Sequence, residues 1–256
     1  MPRRPPPRSV LITGASSGIG AALAEALAGP GVRLALGGRD AARLAEVAER
    51  VRARGGEPVV REIEVTEPEA MAAWIAEAEA ARPLDMVIAN AGVSGGTAGA
   101  GESAAQTRRL FAVNVDGVLN TVLPVLEPMR ARRAGQIVLV SSLAGWRGVA
   151  GAPAYSATKA AVKAWGEGLR GWLAADGVGV SVVMPGFVES RMTAVNDFPM
   201  PLLMPAGRAA AIIVEGLARD KGRIAFPWPL AAAAWFAAAL PEAVVGPLMR
   251  RLPRKG

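Results

Sequence analysis

The sequence predicts an α/β fold: one doubly wound domain with a mainly parallel seven-stranded sheet and helices on both faces. Three observations carry this. Short strand-like runs alternate with longer helix-like ones along most of the chain. Several short runs are continuously apolar, such as Ile137-Val138-Leu139-Val140, as strands buried on both faces require. A glycine-rich turn joins the first strand to the first helix. With 256 residues, 52% hydrophobic and 20% charged, the chain can bury one sizeable core and is not disordered as a whole.

Residues 1–8 are rich in Pro and Arg and lack the apolar core of a targeting signal, so they are expected to form a disordered arm ahead of a domain spanning 9–226. Strand Ser9–Thr13 leads through the glycine turn into a helix over 19–28. A strand at 32–37 and a helix over 40–54 follow, with Asp40 as the N-cap and Gly55-Gly56 as the stop. Next come a strand at 58–63, a helix over 67–81 and a strand at 85–89. A long helix covers 103–132, and the apolar strand at 136–141 precedes a helix over 152–174. The strand at 178–184, a helix over 207–219 and strand Arg223–Phe226 complete the alternation. No linker or internal repeat interrupts it. Residues 227–256 form an apolar, then basic, C-terminal extension.

Composition excludes several chemistries. The chain has no cysteine, so it has no disulfide, thiolate metal site or cysteine nucleophile. It has no histidine, which removes Ser-His-Asp catalysis and imidazole-bound zinc, and no metal site is expected. Any acid/base chemistry near neutrality must use another group with a shifted pKa. The net charge of +7 lies largely in Arg3, Arg4 and Arg8 at one end and Arg250, Arg251, Arg254 and Lys255 at the other. No aromatic-interleaved basic patch supports nucleic-acid binding. The longest uncharged apolar stretch, 224–241, is broken by prolines and leaves only 230–240 as helix. That is ~16 Å of helix, about half a bilayer core, too short to span.

The turn Thr13-Gly14-Ala15-Ser16-Ser17-Gly18-Ile19-Gly20 sits between a strand and a helix. Its glycines allow backbone N–H groups to approach a pyrophosphate, and the helix N-terminus adds partial positive charge. The second strand ends in Leu36-Gly37-Gly38-Arg39, with no acid before the arginine. A carboxylate there would hold ribose hydroxyls and repel a 2′-phosphate, whereas an arginine pairs with the phosphate, so NADP(H) is expected over NAD(H). Tyr155, the sole tyrosine, lies four residues before Lys159, on the same face of a helix. A nearby ammonium stabilises phenolate and lowers the phenol pKa. Ser142 follows a buried strand, where open α/β sheets place their ligands, and could donate to a substrate carbonyl.

Together, and in this order, these motifs resemble the short-chain dehydrogenase/reductase family, a Rossmann fold, from about residue 9 to 219. Gly14, Ser16, Ser17, Gly18, Ile19 and Gly20 match its cofactor turn. Glu64-Val65 stands where the family usually has Asp-Val beside the adenine, and Glu for Asp is a departure. Asn90-Ala91-Gly92 matches the motif after the fourth strand, and Asn114 the family's helix asparagine. Ser142, Tyr155 and Lys159 match the catalytic serine, tyrosine and lysine. Pro185-Gly186 and Val188 match the turn after the sixth strand, and Ser190 falls at a threonine that touches the cofactor. The resemblance implies hydride transfer from NADPH to a carbonyl carbon, with Tyr155 protonating the alkoxide oxygen and Ser142 hydrogen-bonding it. Lys159 would bind the nicotinamide ribose and depress the Tyr155 pKa. Asn114 would hold a water that relays protons to Lys159.

By the same resemblance, substrate residues are expected after Ser142 (Leu143 and Trp146) and after Gly186 (Phe187, Met192 and a Met/Leu-rich lid). They suggest a largely apolar small-molecule carbonyl or alcohol substrate. A ketone or aldehyde reductase leads, with a 3-oxoacyl-thioester or steroid-type reductase as the alternative. A non-catalytic NADP-binding regulator is the rival of another class. The protein is expected to be cytoplasmic and a homodimer or homotetramer. Arg147 and Arg191 are expected as solvated surface residues. The apolar residues Trp228, Leu230, Trp235, Phe236 and Leu240 are expected to dock on the domain or a neighbouring subunit, with membrane-surface contact as the less favoured alternative.

Overall fold

A computed structural model describes residues 3–97 and 101–249. Its sheet contains β1 (Ser9–Thr13), β2 (Arg33–Gly38), β3 (Glu57–Glu62), β4 (Met86–Ala89), β5 (Gln136–Val140), β6 (Gly179–Pro185) and β7 (Arg223–Phe226). The strand order is β3-β2-β1-β4-β5-β6-β7, and every pairing is parallel, so the sheet is wholly rather than mainly parallel. The chain winds outward from β1 to β3, then returns to place β4 on the other side of β1. That reversal opens a crevice at the C-terminal ends of β1 and β4, where ligands of such sheets bind.

The helices are α1 (Gly18–Leu27), α2 (Ala41–Arg52), α3 (Pro68–Ala81), α4 (Ala104–Phe111), α5 (Gly117–Ala131), α6 (Pro153–Leu173), α7 (Arg191–Ala194), α8 (Ala206–Ala218), α9 (Trp228–Ala239) and α10 (Glu242–Met249). Alternation along the strands divides the core in two. In β1, Leu11 faces the helices that contribute Met71, Trp74, Val122, Val162 and Leu173. Val10 and Ile12 face Leu23, Leu44, Ile213 and Leu217. Asp40 caps α2 by accepting from the Arg43 N–H at 3.1 Å, and Gly55, at φ +81°, supplies the left-handed turn after it.

The expected long helix is present without a break over Ala104–Ala131, with a π-helical turn at Ala112–Asp116 between α4 and α5. Two expectations change. Residues 3–8 are not a free arm. Arg4 donates its backbone N–H to Ala218 and its guanidinium to the Gly135 carbonyl and Asp220, while Arg3 pairs with Glu215. The described part of the extension, residues 227–249, forms α9 and α10, yet no residue of α9 is buried. Its described contacts with the domain include Arg147, which donates to the carbonyls of Ala237 and Leu240, each at 3.0 Å, and pairs with Glu242. Arg147 is therefore a structural tie, not a solvated residue.

Candidate active site

The glycine turn lies at the end of β1. Gly14 and Gly18 have φ of +65° and +54°, a region that glycine occupies without the cost an L side chain would meet. A Cβ on Gly14 would sit 2.8 Å from the Ala91 Cα, and one on Gly18 would sit 3.0 Å from the Ser190 Cβ. The turn is thus packed against the loop after β4 on one side and bordered by Ser190 on the other. Asn90 makes the first contact permanent: its amide donates to the carbonyls of Thr13 and Gly14 at 3.0 and 3.1 Å. Thr13 Oγ1 accepts from the Asn90 and Ala91 N–H groups. Ser17 is the N-cap of α1 and makes no side-chain cap bond, while Ser16 lies beside Gly38 and Ile19 packs on the core. Such a turn, opening a helix and free of bulky Cβ groups, suits the pyrophosphate of a dinucleotide.

Arg39 follows β2 and is exposed, but it is not alone. Its guanidinium lies 3.3 Å from Glu64. Val65 is buried, and its carbonyl accepts from Asn120. Glu64 therefore faces Arg39 across the mouth of the crevice. Ser190 caps α7 reciprocally with Thr193, and Val188 bridges to Met204, which ties the lid base to the chain before α8.

Ser142, Tyr155 and Lys159 come together at the end of β5. Ser142 Oγ accepts from the Ala144 N–H at 3.2 Å, lies 3.5 Å from the Pro185 carbonyl, and is near enough to the Tyr155 phenol to influence its pKa. Burial raises the Tyr155 pKa, and Ser142 opposes that rise. Lys159 Nζ is 5.8 Å from the Tyr155 ring centroid and donates to the Val140 carbonyl at 3.0 Å. Burial lowers its pKa to about 8. The expected depression of the Tyr155 pKa is therefore absent here: desolvation dominates, and the ammonium points at a carbonyl. The phenol therefore keeps its proton at neutral pH.

Asn114 sits on the π-helical turn, fully buried. Its Oδ1 accepts from the Val93 N–H at 2.8 Å, and its Nδ2 donates to the Val93 carbonyl at 3.0 Å and to Thr158 Oγ1 at 3.1 Å. With both amide hydrogens and one Oδ1 lone pair used, the side chain positions the loop after Gly92 and keeps a single acceptor site on Oδ1. A Cβ on Gly92 would lie 3.2 Å from Asn114 Oδ1 and 3.4 Å from Lys159 Nζ, so Asn114, Gly92 and Lys159 share one pocket wall. Two residues not singled out from the sequence complete the frame. Thr158 joins Asn114 to α6 by donating to the Tyr155 carbonyl at 2.8 Å. Ser141 Oγ donates to the Lys159 carbonyl at 2.7 Å and clamps α6 to β5. Their small hydroxyls, adjacent to motif residues, were the available signal.

The substrate residues divide. Leu143 faces Gly186, whose added Cβ would lie 3.4 Å from both Leu143 and Leu230. Phe187 packs edge-to-face on Phe198 at 6.1 Å, and Met192 lies half-buried on α7. Trp146, partly buried against the core, has Lys163 Nζ 4.9 Å and the Arg223 guanidinium 4.4 Å from its ring centroid, two cation–π contacts. Among the described residues, no cluster of acidic side chains could hold a metal ion.

The short chain dehydrogenase family model matches residues 8–198. The chain is 42% identical over 248 residues to an uncharacterized oxidoreductase of Myxococcus xanthus, covering 96% of this chain and 97% of that protein. A short-chain dehydrogenase from Sphingobium yanoikuyae, solved in complex with NADPH, superposes with a TM-score of 0.80 at 29% identity over 96% of each chain. The bulky-bulky ketone specific alcohol dehydrogenase from Comamonas testosteroni superposes with a TM-score of 0.79 at 26% identity, covering 96% of this chain and 95% of that one. The chain belongs to the short-chain dehydrogenase family, oxidoreductases that use a nicotinamide cofactor.

Proposed function

We propose that this protein is an NADPH-dependent reductase of bulky, largely apolar ketones or aldehydes, working in reverse as an alcohol dehydrogenase. The observation that carries the reading is the convergence of Ser142, Tyr155 and buried Lys159, whose Nζ lies 5.8 Å from the Tyr155 ring centroid. When bound, NADPH supplies the hydride. Gly14, Ser16, Ser17, Gly18, Ile19 and Gly20 hold its pyrophosphate through backbone donors and the N-terminus of α1. Asn90, Ala91 and Gly92 shape the crevice wall. Glu64 and Val65 border the adenine side, and Pro185, Gly186, Val188 and Ser190 line the nicotinamide side. Tyr155 hands its proton to the carbonyl oxygen while Ser142 donates a second hydrogen bond to it. Lys159 binds ribose hydroxyls and stabilises the phenolate left behind. Leu143, Phe187 and Met192 contribute the apolar substrate wall.

The NADPH preference is supported by exposed Arg39, with glycine instead of an acid before it, and by the NADPH complex of the Sphingobium relative. The bulky-ketone reading is supported by the apolar lid and by the Comamonas relative's specificity. The exposed Phe111 and Leu123 on α4 and α5 support assembly as a homodimer or homotetramer, and we place the protein on the cytoplasmic side, where NADPH is consumed. The test is turnover of a panel of aryl ketones, aldehydes and acyl thioesters with NADPH and NADH. Ketone turnover with at least ~tenfold preference for NADPH is expected, and Arg39→Ala should weaken NADPH roughly ten- to a hundredfold while sparing NADH. Activity confined to acyl thioesters, or equal use of both cofactors, would overturn the respective half of the proposal.

A further inference from the structure

Helix α9 carries its apolar bulk on the side away from the domain. Its sequence, Trp228-Pro-Leu-Ala-Ala-Ala-Ala-Trp-Phe-Ala-Ala-Ala239, has no charged side chain. Trp228, Trp235 and Phe236, spaced to share one face, are 78%, 55% and 59% exposed. The half-buried residues are Leu230, Ala231, Ala234, Ala237 and Ala238, so the inward face is mostly methyl groups. A surface helix of a globular domain normally does the reverse. Val244 on α10 is exposed as well.

The charge that follows is one-sided. Beyond Met249 the sequence carries Arg250, Arg251, Arg254 and Lys255 and no acid. The only acid after Phe226 is Glu242, already paired with Arg147. At the other end of the chain, Arg3 and Arg4 have internal partners in Glu215 and Asp220. Exposed tryptophans followed in sequence by a run of cations with no acid among them suit a surface that is apolar beneath and anionic above. Tryptophan settles at the headgroup level, and weak apolar insertion becomes stable anchoring when a basic segment adds to it.

We propose that the outward face of α9 docks this protein onto a lipid bilayer, and that the basic sequence after Met249 makes it prefer an anionic one. The helix lies on the surface and does not cross it, since its 12 residues span ~18 Å against a ~30 Å hydrocarbon core. The longer apolar stretch over Ala104–Ala131 is no alternative span, because Val118, Val122, Val125 and Met129 within it are buried in the core. A second copy of the chain fits less well, because the sequence after Phe226 holds four cations and, apart from Glu242, which is paired with Arg147, no acid to answer them in a partner. Leu230, on the inward face of α9, approaches Gly186 at the lid base, so docking would set the substrate wall close to the lipid.

The test is co-sedimentation of full-length protein with phosphatidylcholine vesicles, with and without phosphatidylglycerol, at low and high salt. Binding is expected on the phosphatidylglycerol vesicles at low salt and at least ~tenfold weaker on phosphatidylcholine alone or at high salt. The combined Trp228→Ser, Trp235→Ser, Phe236→Ser variant should lose at least ~tenfold in partitioning with unchanged melting and unchanged turnover of a water-soluble ketone. So should the combined Arg250→Gln, Arg251→Gln, Arg254→Gln, Lys255→Gln variant, with unchanged melting as its control. Wild-type protein that stays in the supernatant with every vesicle overturns the proposal. So does a solution dimer that the aromatic triple variant converts to monomer, which would assign the face to a second copy.

Discussion

Helix α6 buries eight of its residues, and helix α9 buries none. On α6, Val162, Leu169 and Leu173 enter the core, while Ser141 and Thr158 bond its backbone to β5 and, through Asn114, to the loop after β4. Tyr155 and Lys159 therefore stand on an element fixed from several sides, and a proton donor must be held this way to act repeatedly at one geometry. On α9, the inward face offers alanines, and the described polar ties are those of Arg147. The same apolar residue types serve a core in one helix and an outward surface in the other. What differs is the neighbour each helix was built to meet.

The largest effect should come from the fixed helix. Tyr155→Phe keeps the ring and its packing but removes the proton, so turnover should fall at least ~100-fold while NADPH binding survives. Wild-type turnover in that variant would mean another acid, and α6 would lose its special status. Next is pH. Burial holds Lys159 at about 8, and the raised Tyr155 stays protonated beyond that. Below pH 8 the ammonium is present and stabilises the phenolate formed on proton transfer; above it the charge is lost. The kcat/KM profile for ketone reduction should therefore fall on an alkaline limb starting near 8, approaching ~tenfold per pH unit. A profile flat to pH 10 would contradict this.

Smaller effects are expected away from α6. Glu64→Gln frees Arg39 from its exposed pair and removes a carboxylate from the 2′-phosphate side, so NADPH should bind a few-fold tighter with NADH unchanged, as ~1 kcal/mol for an exposed pair implies. Isothermal titration of both cofactors reads it. The smallest effect concerns α9. Arg147→Ala removes two carbonyl contacts and one ion pair, at about 1 kcal/mol, so melting should drop by only ~2–4 °C. Hydrogen exchange should meanwhile accelerate in α9 and α10 and not in α6. Acceleration in both helices would erase the contrast between them.

Much of the fold was legible because parallel strands buried on both faces announce themselves as continuous apolar runs, and the glycine turn and the Tyr155–Lys159 spacing are local. The rest depends on partners distant in sequence. The π-helical turn at Ala112–Asp116 gives no periodic warning, and the bonds of Asn114 to Val93 and Thr158 exist only once β4, α5 and α6 have met. Trp146 lies close to Ser142 in sequence, but its cation–π contacts come from Lys163 and Arg223, farther along the chain. Arg4 finds Asp220 across nearly the whole chain. Helix α9 could not be oriented in advance, because a segment without polar side chains carries no amphipathic signal to say which face turns inward.

The most direct test of the central claim is a single-turnover experiment with NADPH deuterated at its transferring position and a bulky aryl ketone. Wild-type protein should place the deuterium on the carbinol carbon of the product alcohol, and Tyr155→Phe should bind the same NADPH yet transfer at least ~100-fold more slowly. Product without the label, or transfer at the wild-type rate in Tyr155→Phe, would contradict the account.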